Sequence, residues 1–197
     1  MKLVGEGAEA KIYESKLFGE KVLVKKRIKK NYRVKELDDK IRRERTKKEA
    51  RILSSLFISG VNCPELRFCD PDEFSVFFTF INGRLARNSR LENGFFTKAG
   101  RQLALMHESG VVHGDFTTSN LIISKEKVYV IDFGLSDFSA VIEEQATDLL
   151  LFKKSVDSRG FKTFAEAYAK TKKNASVIVK KMSEIEKRGR YVVRKMV

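Results

Sequence analysis

The chain has 197 residues, which is enough for one sizeable core or two small lobes sharing a cleft, and too few for several independent domains. A hydrophobic content of 42%, with 15 phenylalanines, indicates a packed globular protein and excludes a disordered one. The net charge of +14 indicates a polyanionic partner, and the lack of a signal peptide or a membrane-length apolar run predicts a cytoplasmic protein with no membrane contact.

The first part of the chain is predicted to be a strand-rich lobe with one helix. β-branched and aromatic runs indicate strands at residues 11–13, 22–24, 66–68 and 75–78. The helix is predicted over residues 38–56. We therefore assign residues 1–81 to an N-lobe.

The second part is predicted to be mainly helical. One helix ends at Gly110, and its apolar face is formed by Phe96, Ala99, Leu103 and Met106. Short strands follow at 121–123 and 128–131, and the last helix has an apolar stripe formed by Ala175, Ile178, Val179, Met182 and Ile185. We assign residues 82–187 to a reduced C-lobe and 188–197 to a basic tail, which gives an α+β fold with a cleft between two lobes.

Two segments contain most of the positive charge. Residues 25–51 include 14 basic and 5 acidic side chains, and residues 170–197 include 10 and 2. Clustered cations of this kind bind nucleic acid through phosphate contacts, although the first cluster could also be a solvated helix face. The two cysteines, Cys63 and Cys69, have no pattern of a metal site or a disulfide framework and are expected to be reduced.

The strongest chemical signal is the sequence His113-Gly114-Asp115-Phe116-Thr117-Thr118-Ser119-Asn120, followed by Asp132-Phe133-Gly134 after a predicted strand. Phosphoryl transfer from Mg-ATP needs one carboxylate to orient or deprotonate the acceptor. It also needs a second carboxylate and an amide oxygen to hold magnesium against the phosphates. The two motifs supply these groups as Asp115, Asp132 and Asn120.

Both motifs resemble those of the protein-kinase superfamily, whose catalytic loop reads H-x-D-x-x-x-x-N and whose metal loop reads D-F-G. The resemblance implies that Asp115 is the catalytic residue and that Asn120 and Asp132 bind Mg²⁺. It further implies that Asp148 braces the catalytic loop and that His113 packs rather than reacts. The other histidine, His107, is expected at the surface or as a helix cap.

The same resemblance assigns ATP-binding residues in the N-lobe. The glycine-rich turn would cover the phosphates with Val4, Gly5, Glu6, Gly7 and Ala8, followed by Ile12. Ala10 replaces the third glycine of the family pattern, so this turn should be stiffer. Lys25 would bind the α and β phosphates.

The predicted partner of Lys25 is Glu49 on the following helix. Glu44 on the same helix is the alternative, and its other role would be an exposed pair with Lys48. In the segment between the lobes, Phe78 would be the gatekeeper, and backbone groups of Thr79 and Ile81 would bind the adenine.

Several departures from the kinase pattern bear on function. Gly114 replaces the arginine that binds a phosphorylated activation loop, and Thr117 replaces a lysine near the γ-phosphate. No Ala-Pro-Glu follows Asp132, and only 63 residues follow Gly134. We therefore expect no platform for peptide substrates.

A more specific resemblance spans residues 5–190. It rests on Lys25-Lys26-Arg27-Ile28-Lys29-Lys30-Asn31-Tyr32-Arg33, Leu37-Asp38, Arg45-Thr46-Lys47-Lys48-Glu49-Ala50-Arg51 and Arg188-Gly189-Arg190. Together these segments resemble the PRPK-type family, the small atypical kinase and ATPase subunit of the KEOPS complex.

This family resemblance implies a role in making N6-threonylcarbamoyladenosine on tRNA. A threonylcarbamoyl transferase subunit would contact the C-lobe, and a small KEOPS subunit would contact the N-lobe. The basic tail and the basic face of the N-lobe would contact tRNA. The implied activities are ATP hydrolysis, autophosphorylation and weak Ser/Thr kinase activity.

Three alternatives remain from the sequence. A RIO-like kinase of ribosome assembly also lacks Ala-Pro-Glu, but the ordinary form of the metal loop argues against it. A small-molecule phosphotransferase shares the His-Gly-Asp form but needs more helical sequence than remains. The third is a non-catalytic RNA-binding scaffold subunit, against which the intact Asp115, Asn120 and Asp132 argue.

Overall fold

The fold is described here from a computed structural model, which covers the backbone of residues 1–194 and the side chains of residues 1–188. Five antiparallel strands form the N-lobe sheet in the spatial order β1-β2-β3-β5-β4. The strands are β1 (Lys2–Glu6), β2 (Ala10–Leu17), β3 (Glu20–Arg27), β4 (Leu66–Asp70) and β5 (Ser75–Thr79). The four strands predicted in this part of the chain lie within β2 to β5.

The central strand β3 illustrates why these residues form a sheet. Val22 and Val24 are two residues apart, so they lie on the same face of the strand, and both are almost fully buried. β2 and β3 form a hairpin whose two turn residues, Phe18 and Gly19, both have positive φ. Turns of that geometry match the right-handed twist of the paired strands.

Helix α1 (Lys35–Ile58) packs on this sheet, and it is longer at both ends than predicted. Its buried residues include Ile52, Leu53 and Leu56, which belong to the hydrophobic core. Gly60 has a φ of +76° and donates its amide hydrogen to the Phe57 carbonyl. A left-handed glycine of this kind ends a helix by satisfying its last carbonyl groups.

Residues 82–194 form four α-helices, two short 3₁₀ helices (Ala86–Asn88 and Thr118–Asn120) and five short strands. The helices are α2 (Asn93–Glu108), α3 (Ile142–Ser155), α4 (Ser158–Thr171) and α5 (Ala175–Arg194). The strands are β6 (Arg84–Leu85), β7 (Val111–Val112), β8 (Leu121–Ser124), β9 (Lys127–Val130) and β10 (Asp137–Phe138). The predicted helical stripes and the strands at 121–123 and 128–131 agree with this arrangement to within a few residues.

The C-lobe core is aromatic. Phe152 of α3 and Phe164 of α4 stack with ring centroids 4.0 Å apart, and Phe116 of the catalytic loop lies against both. All three are fully buried, and burial of one such side chain stabilises a fold by about 1.5–3 kcal/mol. The catalytic loop is therefore anchored through its own phenylalanine.

The structure agrees with the predicted α+β fold of two lobes. Helix α5 continues through residue 188, so the predicted boundary between C-lobe and tail falls inside a helix, and the side chains of residues 189–197 lie outside those described. Both cysteines are free, and burial raises the pKa of Cys63 to about 12. Within the described residues, no helix is long and apolar enough to cross a membrane.

Candidate functional site

A cavity of about 370 Å³ lies between the two lobes. Its apolar lining comes from both lobes and includes Ile12, Leu23, Leu53, Phe78, Ile122 and Ile131. Its polar lining includes Lys25, Glu49, Asn120 and Asp132. An apolar cleft with a few convergent polar groups is the usual form of a small-molecule site, and the volume is large enough for a purine nucleoside.

Lys25 connects the two lobes at this cavity. Its Nζ lies 2.7 Å from Glu49 Oε1 and 2.7 Å from Asp132 Oδ1. Burial alone would lower the pKa of Lys25, but the charges of Glu49 and Asp132 outweigh it, and the pKa lies above its ordinary value. Lys25 is therefore a charged ammonium group beside the other polar residues of the cavity.

Glu49, and not Glu44, is the carboxylate beside Lys25. Glu49 is 3% exposed, whereas Glu44 is exposed and has no ion pair within the part of the chain that the structure describes. The pairing of Glu44 with Lys48 is also not observed, since Lys48 contacts Asp137 instead. Sequence reasoning missed a second cation beside Glu49. Arg27 of β3 donates a hydrogen bond to Glu49 Oε2.

Asp132 reaches Lys25 from a left-handed backbone conformation, with a φ of +62°. Such a conformation in a non-glycine residue costs about 1–3 kcal/mol and is concentrated at functional sites. Burial would raise the pKa of Asp132, but the Lys25 ammonium lowers it further than burial raises it, so the net pKa is below the ordinary value. The carboxylate is therefore ionised and its Oδ2 is not used by Lys25.

The catalytic loop orients Asn120 and Asp115 together. Asn120 Nδ2 donates to the Asp115 carbonyl and to Asp115 Oδ2, each at 2.8 Å. Because both bonds use the amide nitrogen, the Asn120 oxygen remains available as an acceptor. Asp115 does not line the cavity itself, but it adjoins the cavity through Asn120.

Asp148 of α3 holds the catalytic loop in place through hydrogen bonds to its backbone. Its Oδ2 accepts the His113 amide hydrogen at 2.7 Å, and its Oδ1 accepts that of Gly114 at 2.8 Å. His113 is fully buried, its Nε2 contacts the Ile131 carbonyl at 3.1 Å, and its ring packs against Phe133. These contacts are structural, as the kinase resemblance implies.

The prediction that His107 lies at the surface is wrong. His107 is 2% exposed, its Nδ1 lies 2.8 Å from the Tyr168 hydroxyl, and its Nε2 lies 3.2 Å from Asp148 Oδ2. Periodicity could have indicated this, since His107 is four residues after Leu103 on the buried face of α2. His107 therefore connects α2 and α4 to the carboxylate that braces the catalytic loop.

Gly114 has a structural reason for its identity. Its φ is +80°, and a Cβ at this position would lie 2.6 Å from the Leu135 carbonyl oxygen. A side chain would be both strained and obstructed there. The backbone conformation at position 114 thus excludes the arginine that regulated kinases have there. The segment between Gly134 and α3 has only seven residues.

The glycine-rich turn, which we define as residues 4–10, joins β1 to β2. Its five predicted ATP-binding residues, Val4 to Ala8, do not line the cavity, whereas Ile12 of β2 does. Ala10 is buried and its carbonyl accepts the Gly7 amide hydrogen at 2.9 Å. The contact of the turn with phosphates remains a prediction.

The segment between the lobes places Phe78, Thr79 and Ile81 in the cavity wall. Two hydrogen bonds join Thr79 to Glu65. The Thr79 amide donates to the Glu65 carbonyl, and the Glu65 amide donates to Thr79 Oγ1. Contact of the backbone groups of Thr79 and Ile81 with adenine remains a prediction.

Magnesium would have few protein ligands here. Among the described residues, no group of three His, Cys, Asp or Glu side chains could hold a metal ion. Mg²⁺ at phosphate sites uses one or two carboxylates and takes its other ligands from water and phosphate oxygens. Asp132 and the Asn120 oxygen fit that donor set.

The basic face of the N-lobe is largely paired. Eight of the 14 cations in residues 25–51 form ion pairs, several with carboxylates of other elements. The external partners are Glu9, Asp72, Glu73, Asp132 and Asp137. This cluster therefore has a weaker local field than its composition indicates, and tRNA binding there remains a prediction.

A family model described as RIO domain matches residues 7–154, which end within α3. The KEOPS complex subunit Bud32 of Pyrococcus abyssi is 41% identical over 97% of this chain and 96% of its own length. A probable bifunctional tRNA threonylcarbamoyladenosine biosynthesis protein of Methanobrevibacter smithii is 38% identical over 96% of this chain. The chain spans only 36% of the length of that bifunctional protein.

Solved structures with a similar fold include the Rio2 kinase of Chaetomium thermophilum in a complex with ADP, Mg²⁺ and phosphoaspartate. It has a TM-score of 0.69 at 13% identity and covers 98% of this chain and 72% of its own. The structure of WaaP in complex with acyl carrier protein has a TM-score of 0.63 at 14% identity, over 94% and 88% of the two chains. At these identities the likeness concerns the fold alone, which is that of a small kinase.

The matched region of the RIO domain model contains the Asp132-Phe133-Gly134 loop, so the ordinary form of this loop does not separate the chain from the RIO domain family as a whole. The kinase-like fold and the PRPK-type resemblance are confirmed by the same comparisons. The chain belongs to the RIO domain family and, within it, to the family of the KEOPS complex subunit Bud32.

Proposed function

We propose that this protein is an Mg-ATP-dependent atypical kinase and ATPase that acts as a KEOPS subunit and supports N6-threonylcarbamoyladenosine modification of tRNA. The observation that carries the proposal is the Lys25 ion pair with Glu49 and Asp132, next to the bonded pair Asp115 and Asn120. This arrangement suits phosphoryl transfer, in which catalysis depends on positioning and on stabilising charge.

Each residue has a separate task in this mechanism. Lys25 would hold phosphate oxygens, and Glu49 with Arg27 behind it keeps the ammonium in place. Asp132 and Asn120 would hold the metal. Bound Mg-ATP would supply the phosphoryl group and the metal charge. Asp115 would orient the attacking hydroxyl or water and accept its proton, because its Oδ1 has no partner within the described structure.

The short segment after Gly134 favours ATP hydrolysis or autophosphorylation over phosphorylation of protein substrates. Ordinary kinases bind peptide on a long segment and further helices, whereas here α3 begins at Ile142. Weak Ser/Thr kinase activity is consistent with an accessible Asp115 that lacks such a platform. We therefore expect water to be the main acceptor when the protein is in its complex.

The tRNA and KEOPS parts of the proposal rest on the names of the relatives, Bud32 as a KEOPS subunit and the bifunctional proteins of threonylcarbamoyladenosine biosynthesis. The bifunctional relatives are about three times as long as the region they share with this chain. We propose that a threonylcarbamoyl transferase subunit binds the C-lobe. A small KEOPS subunit would bind the N-lobe.

The test measures ATP hydrolysis in wild-type protein, Asp132→Ala and Asp137→Ala. We expect Asp132→Ala to lower kcat by at least about 100-fold, because it removes a metal ligand that stabilises transition-state charge. Asp137 is an equally exposed carboxylate in the same segment, and its pair with Lys48 lies outside the cavity. Asp137→Ala should therefore stay within about threefold of wild type.

The same assay is repeated with the transferase partner and tRNA, alongside phosphorylation of a generic protein substrate. Hydrolysis stimulated by the partner, without labelling of the protein substrate, supports the ATPase role. Unchanged turnover in a folded Asp132→Ala variant contradicts the enzymatic proposal. Strong protein labelling with no partner-stimulated hydrolysis contradicts the ATPase assignment.

A further inference from the structure

Glu9 is an acidic residue in a turn expected to face phosphates, where a carboxylate would repel its ligand. Glu9 does not line the cavity between the lobes. Instead it lines a separate, small cavity together with Arg27, Lys30 and Arg45. Its charge is therefore balanced by basic side chains of β3, α1 and the segment between them.

Two arginines hold the Glu9 carboxylate in that position. Arg45 of α1 donates to Glu9 Oε2 through its Nη1, and Arg27 Nη1 lies 3.8 Å from the same oxygen. The hydrogen bond from Arg45 is the main reason why the pKa of Glu9 lies below its ordinary value. The side chain of Glu9 is 43% exposed, so this pair acts in partial contact with water.

The backbone of the turn is fixed on the same side. The Glu9 carbonyl accepts the Ile28 amide hydrogen at 3.1 Å, and the Ala8 carbonyl accepts a hydrogen bond from Lys30 Nζ. The Ala10 carbonyl accepts the Gly7 amide hydrogen, which adds a bond within the turn itself. The turn is thus tied to β3, α1 and the segment between them.

Arg27 joins this anchor to the ion pairs in the cavity. Its guanidinium contacts Glu9 through Nη1 and Glu49 through Nη2, and Glu49 binds Lys25. Arg27 and Glu49 are both almost fully buried, so their contact forms in a region with little water, whereas Glu9 is partly exposed. A continuous series of charged groups therefore runs from Arg45 through Glu9, Arg27, Glu49 and Lys25 to Asp132.

We infer that Glu9 is a positioning residue, which fastens the glycine-rich turn to α1 so that its backbone is already in place when nucleotide binds. The inference rests on the proposed function, since the ligand of the turn is the phosphate part of Mg-ATP. The inference also agrees with Ala10 in place of the third glycine. Ala10 makes the backbone of the turn less flexible, and the Glu9 contacts hold this backbone in one position.

The first experiment measures Mg-ATP affinity and steady-state kinetics for wild type, Glu9→Ala, Glu9→Gln and Arg45→Ala. We expect Glu9→Ala to raise Kd and KM about three- to tenfold, as for removal of a charge-assisted hydrogen bond at a partly exposed site. We expect kcat to change by less than about twofold, because Asp115, Asn120 and Asp132 are untouched. Glu9→Gln, which keeps an acceptor, should lie between wild type and Glu9→Ala.

The matched control is Glu14→Ala. Glu14 lies on β2 outside the turn, pairs with Lys21 at 2.9 Å and is 37% exposed, which is close to the 43% exposure of Glu9. Its removal should leave Kd within about twofold of wild type. The double variant of Glu9→Ala with Arg45→Ala should bind no more weakly than Glu9→Ala alone, because Arg45 acts on the turn through Glu9.

The second experiment measures hydrogen exchange of the amides of residues 5–10 without nucleotide. We expect faster exchange in Glu9→Ala and Arg45→Ala and no change in Glu14→Ala. Unchanged exchange, or Kd effects of Glu9→Ala and Arg45→Ala that add, would overturn the inference. If wild type binds no Mg-ATP while exchange responds as expected, the proposed function fails and the anchor stands.

Discussion

The two histidines of the chain have their protonation states set by burial. Burial lowers the pKa of His107 and of His113, and the nearby Asp148 only partly opposes this. Around His107 the other facing groups are Tyr168, Lys172 and Glu108. Both imidazoles are therefore neutral near pH 7, and the carboxylate of Asp148 is left to accept hydrogen bonds from the catalytic loop.

This predicts a loss of stability in weak acid. Both histidines have a lower pKa in the folded protein than in the unfolded chain, so the unfolded chain binds protons first as pH falls below about 6.5. The free energy of unfolding should then fall by at most about 1.4 kcal/mol per pH unit for each histidine. Urea denaturation at pH 7.5, 6.5 and 5.5 measures the slope.

The control for this prediction is His107→Asn, which removes one titrating group. The variant should be less stable at every pH, because it alters the contacts with Tyr168 and Asp148, but its pH slope should be about half that of wild type. A free energy of unfolding that stays constant between pH 7.5 and 5.5 would contradict the assignment of neutral, buried histidines.

Helices α2 and α4 approach closely at a glycine. A Cβ on Gly100 of α2 would lie 2.3 Å from the Phe164 carbonyl oxygen and 3.1 Å from the Tyr168 amide nitrogen. Backbone atoms cannot move aside as a flexible side chain can. This close approach brings Tyr168 within reach of His107, so the helix spacing contributes to the network behind the catalytic loop.

We predict that Gly100→Ala destabilises the protein by about 1–3 kcal/mol through overpacking. Gly94 is the matched control, because it lies in the same helix and a Cβ there would meet no atom within 4 Å. Gly94→Ala should be neutral or stabilising by up to about 1 kcal/mol. Chemical denaturation measures both, and equal effects of the two substitutions would contradict the close-packing explanation.

At the scale of the whole molecule, the two basic clusters differ. Many cations of the N-lobe cluster pair with carboxylates, whereas the sequence of the tail has Arg188, Arg190, Arg194 and Lys195 with no acidic residue among them. Arg188, the first cation of the tail, contacts Glu143 at 3.0 Å. We propose that the tail contributes to tRNA binding, because a run of cations with no acidic residue is suited to phosphate contacts.

We predict that removal of residues 188–197 weakens tRNA binding and reduces its salt dependence. For every phosphate that the truncated protein no longer neutralises, the slope of log K against log salt should fall by about one unit. Filter binding at several salt concentrations gives the slope. Removal of only Met196 and Val197, which carry no charge, is the control, and an unchanged slope in the longer truncation contradicts the prediction.

The sequence alone determined the type of fold and predicted the candidate catalytic and metal-binding residues. Asp115, Asn120 and Asp132 were predicted because local loop motifs require particular residues at particular spacings. The helix of Phe96, Ala99, Leu103 and Met106 was predicted because an apolar face repeats with the period of a helix. Signals of this kind are local, so one sequence is enough to show them.

The tertiary structure alone decided which distant residues meet. It chose Glu49 over Glu44, placed Arg27 between Glu49 and Glu9, and buried His107 against Tyr168. The requirement for glycine at position 114 also depends on Leu135, which lies 21 residues away. Such contacts join residues far apart in the chain, and their partners follow from how the elements pack, which no local pattern records.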